Sequence, residues 1–334
     1  MPPSPCQVLC VGEALVDRLG PPGGDPTTAS ADQLDDRLGG APANVACALA
    51  RLGTPAGFIG RLGRDAIGAA FSDLFAARGV DTSALQWDAQ RPSRIVLVQR
   101  DASGERSFGG FAGNGGEGFA DQALAASELE PCLERLLSRA RGWLLTGTIP
   151  LASAASAAAL ERLLDRAGAA GMALAVDVNW RPTFWDAQLA PDAPPTAAAK
   201  RKLGALLERA DLLKCASEEA EWLFSGTDPA LISAALPRRP DVLITDGGGP
   251  LRWCVAGAAG QRDSYRVPVV DTTGAGDAFT AGLLHSLCAH PDWPVEQRMA
   301  FASACGALVC RGAGAIDPQP TEAEVLAFIS DQGE

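Results

Sequence analysis

The feature that most constrains the fold is a regular alternation of strand-like and helix-like segments. An apolar run at residues 7–12 predicts a buried strand, and residues 142–146 and 172–178 predict two more, each within a strand–helix repeat. Units of this length favour a mostly parallel sheet with helices on both faces, an α/β architecture in three layers. Ligands of such sheets bind at the carboxyl ends of the strands.

Two segments depart from this alternation and predict hairpins. Residues 93–100 and 106–111 flank a polar tip, which indicates a small sheet outside the main one. Residues 253–256 and 265–268 predict a second, antiparallel hairpin at the edge of the main sheet. The chain should therefore combine one large α/β core with a small β appendage.

Composition narrows the partners. The 334 residues carry a formal net charge of −12, which argues against nucleic acid or an anionic membrane surface. No apolar stretch approaches the ~20 residues of a membrane span, and no signal peptide is evident. The nine cysteines contain no C-x-x-C pair, which is typical of reduced thiols in a cytoplasmic protein. The two histidines, His285 and His290, are expected to be structural.

Residues 269–277 (VVDTTGAGD) hold the most informative chemistry. Val269 and Val270 predict the end of a buried strand, and an apolar helical run follows the glycines. A Gly-Ala-Gly turn at a helix N-terminus exposes backbone N–H groups that bind phosphate. Asp277 in the first helical turn has two possible roles. It could cap the helix, or it could take a proton from a hydroxyl that meets a phosphoryl group.

A second loop of small residues, 39–44 (GGAPAN), precedes a helix that ends at Gly53. Its small residues allow either close approach to a ligand or a close contact between helix and sheet. Several polar or glycine residues share a position just after a predicted strand or at a helix start. They are Asp17, Asn44, Arg181, Glu219, Gly247 and Asp277.

Standard phosphate motifs are absent. No lysine follows a glycine anywhere in the chain, which excludes the G-x-x-x-x-G-K-[ST] loop, and the protein-kinase motifs do not occur. The glycines at 312–314 lack the strand and helix of a dinucleotide-binding fingerprint. Backbone N–H groups at 274–277, and those at 247–249, are the remaining candidates for a phosphate site.

Three motifs carry a resemblance to a known family. Residues 271–277 (DTTGAGD) with 281–283 (AGL) resemble the C-terminal signature of the ribokinase-like (PfkB) sugar kinases, and residues 39–44 resemble the N-terminal one. Residues 177–182 (DVNWRP) resemble the version found in fructokinases and 2-keto-3-deoxygluconate kinases. The resemblance extends over residues 8–329.

The resemblance implies a three-layer αβα core and a β-sheet lid. The core would comprise residues 1–12, 39–90 and 116–334, and the lid residues 13–38 and 91–115. The cofactors implied are ATP and Mg²⁺, with K⁺ as a further cation. The partners are then ATP and a sugar.

The same resemblance implies roles for individual residues. Asp277 would be the catalytic base, with Gly274, Ala275 and Gly276 as the anion hole. The sugar would be held by Asp17, Gly39, Gly40, Asn44 and Arg181. The nucleotide would lie along Lys214, Glu219, Thr245, Gly247, Gly249 and Ser303. Glu219 would order the waters of Mg²⁺, and Asp271 and Thr273 fall where relatives bind a monovalent cation.

Two departures from the family pattern concern the metal site and the lid. The usual N-x-x-E motif appears as residues 216–219 (ASEE), so the role of the asparagine is unfilled or passes to Ser217. Residues 107–111 (SFGGF) replace a tyrosine and an arginine usual in fructokinases. Sugar contacts from the lid are therefore not fixed by the resemblance.

The predicted activity is ATP-dependent phosphorylation of D-fructose to fructose 6-phosphate. One alternative is a 2-keto-3-deoxygluconate kinase, whose substrate carboxylate would need a cation from Arg94, Arg106 or Arg181. Another is a sugar-binding regulator without catalysis. A homodimer through the lid is also predicted, with the apolar Ile95, Leu97 and Phe111 facing either a partner or the cleft.

Overall fold

The computed structural model describes residues 8–101, 106–113, 115–139 and 142–333. The hairpin tip at 102–105 and residue 114 of the adjoining glycine-rich segment lie outside these ranges. The strands are, in chain order, β1 (Val8–Val11), β2 (Leu15–Pro22), β3 (Asp35–Gly39), β4 (Ala56–Ile59), β5 (Arg61–Gly63), β6 (Gln86–Asp88), β7 (Arg94–Arg100), β8 (Arg106–Phe111), β9 (Trp143–Thr146), β10 (Ala173–Asp177), β11 (Leu212–Ala216), β12 (Asp241–Thr245), β13 (Leu251–Val255) and β14 (Ala258–Arg262).

The helices follow most strands of the main sheet. They are, in chain order, α1 (Ala41–Leu52), α2 (Ala66–Arg78), α3 (Ala126–Arg139), α4 (Ala154–Ala169), α5 (Pro182–Trp185), α6 (Ala197–Leu207), α7 (Ser217–Phe224), α8 (Pro229–Ala235), α9 (Ala275–Ala289), α10 (Val295–Val309) and α11 (Glu322–Asp331).

The central sheet has the order β14-β13-β12-β11-β10-β9-β1-β4. The strands from β12 to β4 pair in parallel, while β13 and β14 add an antiparallel edge. The parallel strands are mostly apolar, because both faces of the sheet are covered, and their polar residues lie mainly at the strand ends. The predicted mostly parallel α/β sheet is therefore confirmed.

Two apolar cores lie on opposite faces of this sheet. One holds buried side chains of α1, α2, α9, α10 and α11, including Phe71, Leu284 and Phe301. The other holds side chains of α3, α4, α6, α7 and α8, including Leu133 and Leu163. The three-layer arrangement follows from this division, since each helix buries one apolar face against the sheet.

A small four-stranded sheet of order β3-β2-β7-β8 stands apart from the central one. β2 and β7 pair in parallel, whereas β3 and β8 pair antiparallel to their neighbours, so the sheet is mixed. The apolar Leu15, Val96 and Phe111 form its own cluster with Phe119 from the core. This sheet lies over the carboxyl ends of the central strands.

Two sequence predictions about the segment before α9 are wrong. The second hairpin is formed by β13 and β14, and residues 265–268 are not in a strand. Val269 and Val270 do not end a buried strand, because they are 62% and 65% exposed. The β-branched pair lies in an extended connection along a cleft. Its apolar side chains are exposed to solvent there and do not pack into a core. Periodicity does not distinguish these two settings in so short a run.

Within the described ranges, no helix combines the length with the apolar character that crossing a bilayer requires.

Candidate active site

A cleft of about 610 Å³ opens between the small sheet and the carboxyl ends of the central strands. The lid side of the cleft is largely apolar, with Leu15, Leu19, Val96 and Val98. The core side is rich in charge and polarity. The polar and glycine residues that line the cleft are Glu13, Asp17, Gly40, Asn44, Asn179, Arg181, Lys214, Glu219, Gly274, Gly276 and Asp277.

A second cleft of about 660 Å³ lies on the other side of the turn before α9. Its lining includes Tyr265, Val267, Val269 and Phe279. Thr245, Thr272 and Gly276 line both clefts, so the Gly-Ala-Gly turn forms the wall between them. We refer below to the first as the polar cleft and to the second as the apolar cleft.

The turn owes its shape to its two glycines. Gly274 is the N-cap of α9 in the left-handed region (φ 78°), and a Cβ there would lie 2.7 Å from the Cα of Ala315. A Cβ on Gly276 would lie 3.0 Å from the Nζ of Lys214. The backbone can therefore approach both clefts closely, with its first-turn N–H groups at the positive end of the helix.

Asp277 lies in the first turn of α9 and faces the polar cleft. Its Oδ2 accepts a hydrogen bond from Nδ2 of Asn44 at 2.7 Å. Burial raises the pKa of Asp277 to about 6, against the opposing effect of the Asn44 hydrogen bond. Such a carboxylate is ionised at neutral pH yet basic enough to accept a proton. Its bond is made by a side chain across the cleft, so Asp277 is more than a helix cap.

Asn44 is held in the first turns of α1 by the loop of small residues. Gly40, the N-cap of α1, has φ 100°, and a Cβ there would lie 2.6 Å from the carbonyl oxygen of Glu13. The Oδ1 of Asn44 is buried and has no hydrogen-bond partner among the described residues. The small residues thus provide a close backbone contact, and they also place an unsatisfied acceptor at the cleft. The close backbone contact is therefore observed, and close approach of this loop to a ligand stays a prediction.

A buried ion pair lies beneath the turn. The Nζ of Lys214 lies 3.0 and 3.1 Å from the two carboxylate oxygens of Asp177, and Thr280 donates to the same carboxylate at 2.9 Å. Burial alone would lower the pKa of Lys214, but Asp177, Glu219 and Asp277 outweigh it, and the pKa is raised. Lys214 is therefore a fixed cation in the polar cleft, next to Gly276.

Glu219 also faces the polar cleft and is almost fully buried. Its Oε1 accepts from the N–H of Trp180 at 2.6 Å and its Oε2 from the N–H of Ala216 at 2.7 Å. Burial raises its pKa, while Lys214 acts in the opposite direction. Ser217 accepts a hydrogen bond from Arg252 at 3.1 Å and lines neither cleft, so it does not take the place of the asparagine missing at Ala216.

Asp271 and Thr273 are brought together at the base of the turn. The Oδ1 of Asp271 accepts from the Oγ1 and the N–H of Thr273 at 2.7 and 3.1 Å. Its Oδ2 accepts from the N–H of Gly314 at 2.7 Å. The carboxylate thus links the turn to the loop after α10 and concentrates oxygen atoms there.

The structure divides the remaining predicted residues between the two clefts. Thr245, Gly247 and Ser303 line the apolar cleft, and Ala275 does so as well. Gly249 lies beside it without lining it, and Gly248 does instead. Gly39 lies at the end of β3 behind Asp17, whose Oδ2 would be 3.3 Å from a Cβ at that position.

Three residues at or beneath the polar cleft were not predicted from the sequence. Asp177, which ends β10 and pairs with Lys214, and Asn179, which lines the cleft, stand within the DVNWRP motif, and their position at the carboxyl end of β10 was the available signal. Glu13 follows β1, and its buried Oε2 lacks a hydrogen-bond partner. Burial raises the pKa of Glu13 to about 8. Nothing in a single sequence marks such a glutamate as buried.

Comparison with known proteins agrees with this geometry. Residues 6–322 match the pfkB family of carbohydrate kinases. Fructokinase-1 of Oryza sativa is 33% identical over 330 residues, which cover 96% of this chain and 97% of the rice protein. A fructokinase from Xylella fastidiosa with bound ATP is 30% identical, with a TM-score of 0.79 over 98% of this chain and 99% of that one.

A third relative was solved with both kinds of ligand. A fructokinase double mutant from Vibrio cholerae O395, in fructose, ADP and potassium ion bound form, is 25% identical with a TM-score of 0.79. That similarity covers 98% of this chain and 99% of the other. The fold and the site define a phosphotransferase that acts on an alcohol. The chain belongs to the PfkB family of carbohydrate kinases.

Proposed function

We propose that the protein is an ATP-dependent fructokinase that phosphorylates the primary hydroxyl of D-fructose to give fructose 6-phosphate. The observation that carries the proposal is that two clefts share one wall, the Gly274–Gly276 turn, with Asp277 facing the polar cleft. A sugar in the polar cleft and ATP in the apolar cleft would meet at this turn. Fructose and ADP are both bound in the related Vibrio structure.

The polar cleft offers groups that suit a sugar. The unsatisfied Oδ1 of Asn44 can accept a hydrogen bond from a hydroxyl, and the carboxylate of Asp17 on β2 faces the same space. Arg181 is exposed at the cleft and can reach the sugar or the transferring phosphate. Because Asp17 lies on the small sheet, sugar binding would draw this sheet down as a lid, which excludes water as a competing acceptor.

Proton transfer and charge stabilisation would occur at the start of α9. Asp277 accepts the proton of the sugar hydroxyl. At the same time the hydroxyl oxygen bonds to the γ-phosphorus, and the bond between that phosphorus and ADP breaks. Ala275 already donates to the carbonyl of Thr272 at 3.2 Å. The N–H groups of Gly276 and Asp277 would therefore meet the phosphoryl oxygens, and Lys214 would add a positive charge beside them.

The cations implied by the family fit the residues present. Each oxygen of Glu219 uses one lone pair on a backbone N–H, and the second lone pair can accept from a water of Mg²⁺. Asp271 and the hydroxyl of Thr273 would contribute oxygens near a K⁺ ion. When bound, Mg²⁺ would neutralise charge on the phosphates, and K⁺ would add positive charge beside the N–H groups of the turn.

The structure weakens the keto-acid alternative. Its substrate carboxylate needs a cation, yet the guanidinium of Arg94 is buried and paired with Asp121 at 2.7 Å. The side chain of Arg106 lies outside the described residues. Of the two candidates whose side chains are described, Arg181 lines the polar cleft and Arg94 does not. The regulator alternative is disfavoured because Asp277, Lys214 and the glycine turn are all in place.

An ADP-release assay coupled to pyruvate kinase tests the proposal on a panel of D-fructose, 2-keto-3-deoxygluconate, D-mannose and D-ribose. We expect turnover with fructose well above the rate without sugar. Turnover with 2-keto-3-deoxygluconate and with no other sugar would show that this keto-acid, and not fructose, is the substrate. Sugar binding by calorimetry without turnover on any sugar would favour the regulator.

The predicted homodimer and compartment remain proposals. Leu97 and Phe111 are buried within the chain, so a dimer through the lid would have to use other residues, such as the half-buried Ile95. Light scattering on the purified protein would test for the dimer. The described cysteines carry no disulfide, which suits the proposed cytoplasmic location.

A further inference from the structure

Three metal-ligating side chains meet at the end of α9 that lies away from the turn. They are His285 in the last turns of α9, His290 at its C-cap and Glu322 at the first position of α11. One ligand atom from each lies within 4.8 Å of the others. Asp277 precedes His285 by eight residues on the same helix, which places the cluster about 12 Å or more along the axis from the reaction site.

The end of the helix is what brings the histidines together. Residues five apart would point about 140° away from one another on a continuous helix. The backbone of His290 is no longer helical, with φ −129° and ψ 62°, and its ring turns back towards His285. The Oε1 of Glu322 lies 2.5 Å from Nε2 of His290 and 3.7 Å from Nε2 of His285.

His285 is oriented as a ligand. Its ring is 1% exposed, and its Nδ1 lies 2.8 Å from the Oγ1 of Thr54, which can accept the Nδ1 proton. Its Nε2 is buried without a hydrogen-bond partner and faces the cluster. A buried unsatisfied nitrogen is unfavourable.

Aromatic side chains fix both imidazole rings. His290 stacks on Trp293 with centroids 3.9 Å apart and an interplanar angle of 5°. His285 stacks on Phe301 of α10 at 5.4 Å. A ring that is held in place and has a hydrogen-bonded second nitrogen, as His285 does through Thr54, is typical of a metal ligand. The arrangement is preorganised from four separate segments of the chain.

We propose that His285, His290 and Glu322 bind one Zn²⁺ ion, which fastens α11 to the C-terminal end of α9. Two neutral imidazoles and a carboxylate are an established zinc donor set, with water in the fourth position. Zinc bonds of about 2.0–2.1 Å in a tetrahedron separate ligand atoms by roughly 3.3 Å. The 2.5 and 3.7 Å distances bracket this value. The negative end of the α9 dipole also favours a cation here.

Isothermal titration of the chelator-treated full chain with ZnCl₂, in the absence of ATP and Mg²⁺, tests this site. We expect one ion per chain and a rise in the melting temperature on binding. His290→Ala and Glu322→Gln should each weaken binding by more than ~10-fold, since even loss of a hydrogen-bond partner of a ligand costs ~10–100-fold. Thr54→Val should cost about 10-fold by removing that partner of His285.

Two controls separate this site from other zinc-binding groups. Glu296→Gln removes an exposed acid from the first turn of α10, and Cys288→Ser removes a half-buried thiol from α9 itself. Both should bind Zn²⁺ as the wild type does. The proposal is overturned if the wild type binds no Zn²⁺, or if the His290 and Glu322 variants bind it unchanged. Loss of binding in Cys288→Ser would also overturn it, because the ion would then lie on a thiol.

Discussion

The polar and apolar clefts meet at one turn but are built in opposite ways. The polar cleft is lined by eight charged or amide side chains, among them Lys214, Glu219 and Asp277. Of the described residues that line the apolar cleft, only Asp246 and Arg266 carry charge, and the rest are apolar, small or hydroxyl-bearing. In the proposed function, catalysis would therefore depend on buried charges on one side, whereas nucleotide binding on the other would depend on shape and backbone.

This difference determines how each cleft affects the stability of the folded protein. Burial raises the pKa values of Glu13, Glu219 and Asp277 in the polar cleft, so the protein holds these carboxylates in ionised form at the expense of stability. The walls of the apolar cleft, such as Val269, are exposed until a ligand covers them. We expect substitutions in the polar cleft to alter turnover and unfolding strongly, and those in the apolar cleft to alter nucleotide affinity mildly. Four experiments test this contrast.

The largest effect is expected for Asp277→Asn. Removing a positioned base should reduce kcat by at least ~10²-fold, while the dissociation constant for fructose stays nearly unchanged. Asp246→Asn, an acid that lines the apolar cleft, is the matched control and should stay within a few-fold of wild type. Steady-state kinetics together with calorimetric fructose binding measure both. Wild-type turnover by Asp277→Asn would show that the base is another group.

Lys214→Met should be next in size. The substitution leaves the carboxylate of Asp177 buried without its cation, which costs about 3–5 kcal/mol of unfolding free energy. Urea denaturation followed by circular dichroism would measure the change. Lys200→Met, on the exposed face of α6, should have almost no effect. If the two variants are equally stable, the ion pair is not desolvated as the structure indicates.

The stability of Asp277→Asn should depend on pH. The folded-state pKa of Asp277 is about 6, above its ordinary value of 3.8, so the folded protein binds the proton more tightly than the unfolded chain. This carboxylate therefore weakens the fold increasingly as pH rises from about 4 to 6, and fully above 6. The asparagine variant should be more stable than wild type by about 1–3 kcal/mol at pH 7.5, with no difference near pH 4.

Denaturation at the two pH values would measure that difference. A gain of the same size at both would assign it to packing instead of ionisation. In the same pH range, kcat/KM of the wild type should fall about tenfold per unit below pH 6 as Asp277 takes up a proton.

The smallest effect is expected for Val269→Ala on the apolar cleft. A methylene group covered by ligand contributes ~0.8 kcal/mol, so partial coverage of the valine predicts a rise of about 3-fold in KM for ATP. The kcat and the KM for fructose should not change. Val270→Ala is the control, because this neighbour does not line the cleft. A large fall in kcat for Val269→Ala would contradict the division between the clefts.

The sequence predicted the fold well because its signals are local. Strand–helix alternation fixes a mostly parallel sheet, and the glycines of both signature loops require unusual backbone geometry. The exact path before α9 was not predictable, since Val269 and Val270 have the composition of a strand but no partner strand to pair with. The second strand of the edge hairpin was placed at residues 265–268 instead of at β14 for the same reason.

The sequence predicted those site residues whose type and position along the chain are informative on their own. Asp277, Asn44 and Arg181 were predicted from their position and residue type, and all three line the polar cleft. The pairing of Lys214 with Asp177, the burial of Glu13 and the engagement of Arg94 with Asp121 depend on contacts between distant segments. The same holds for the cluster of His285, His290 and Glu322, whose members a single sequence does not connect.

The hydrogen bond between Asn44 and Asp277 joins residues 233 positions apart, which has a consequence during synthesis. At ~5–20 residues per second, a ribosome needs roughly 10–50 s after making Asn44 before Asp277 exists. α1 packs against α9, and Gln319 donates to the carbonyl of Asn44, so the apolar face of α1 lacks its cover for that whole interval. A nascent chain stalled before residue 275 should therefore be a substrate for chaperones.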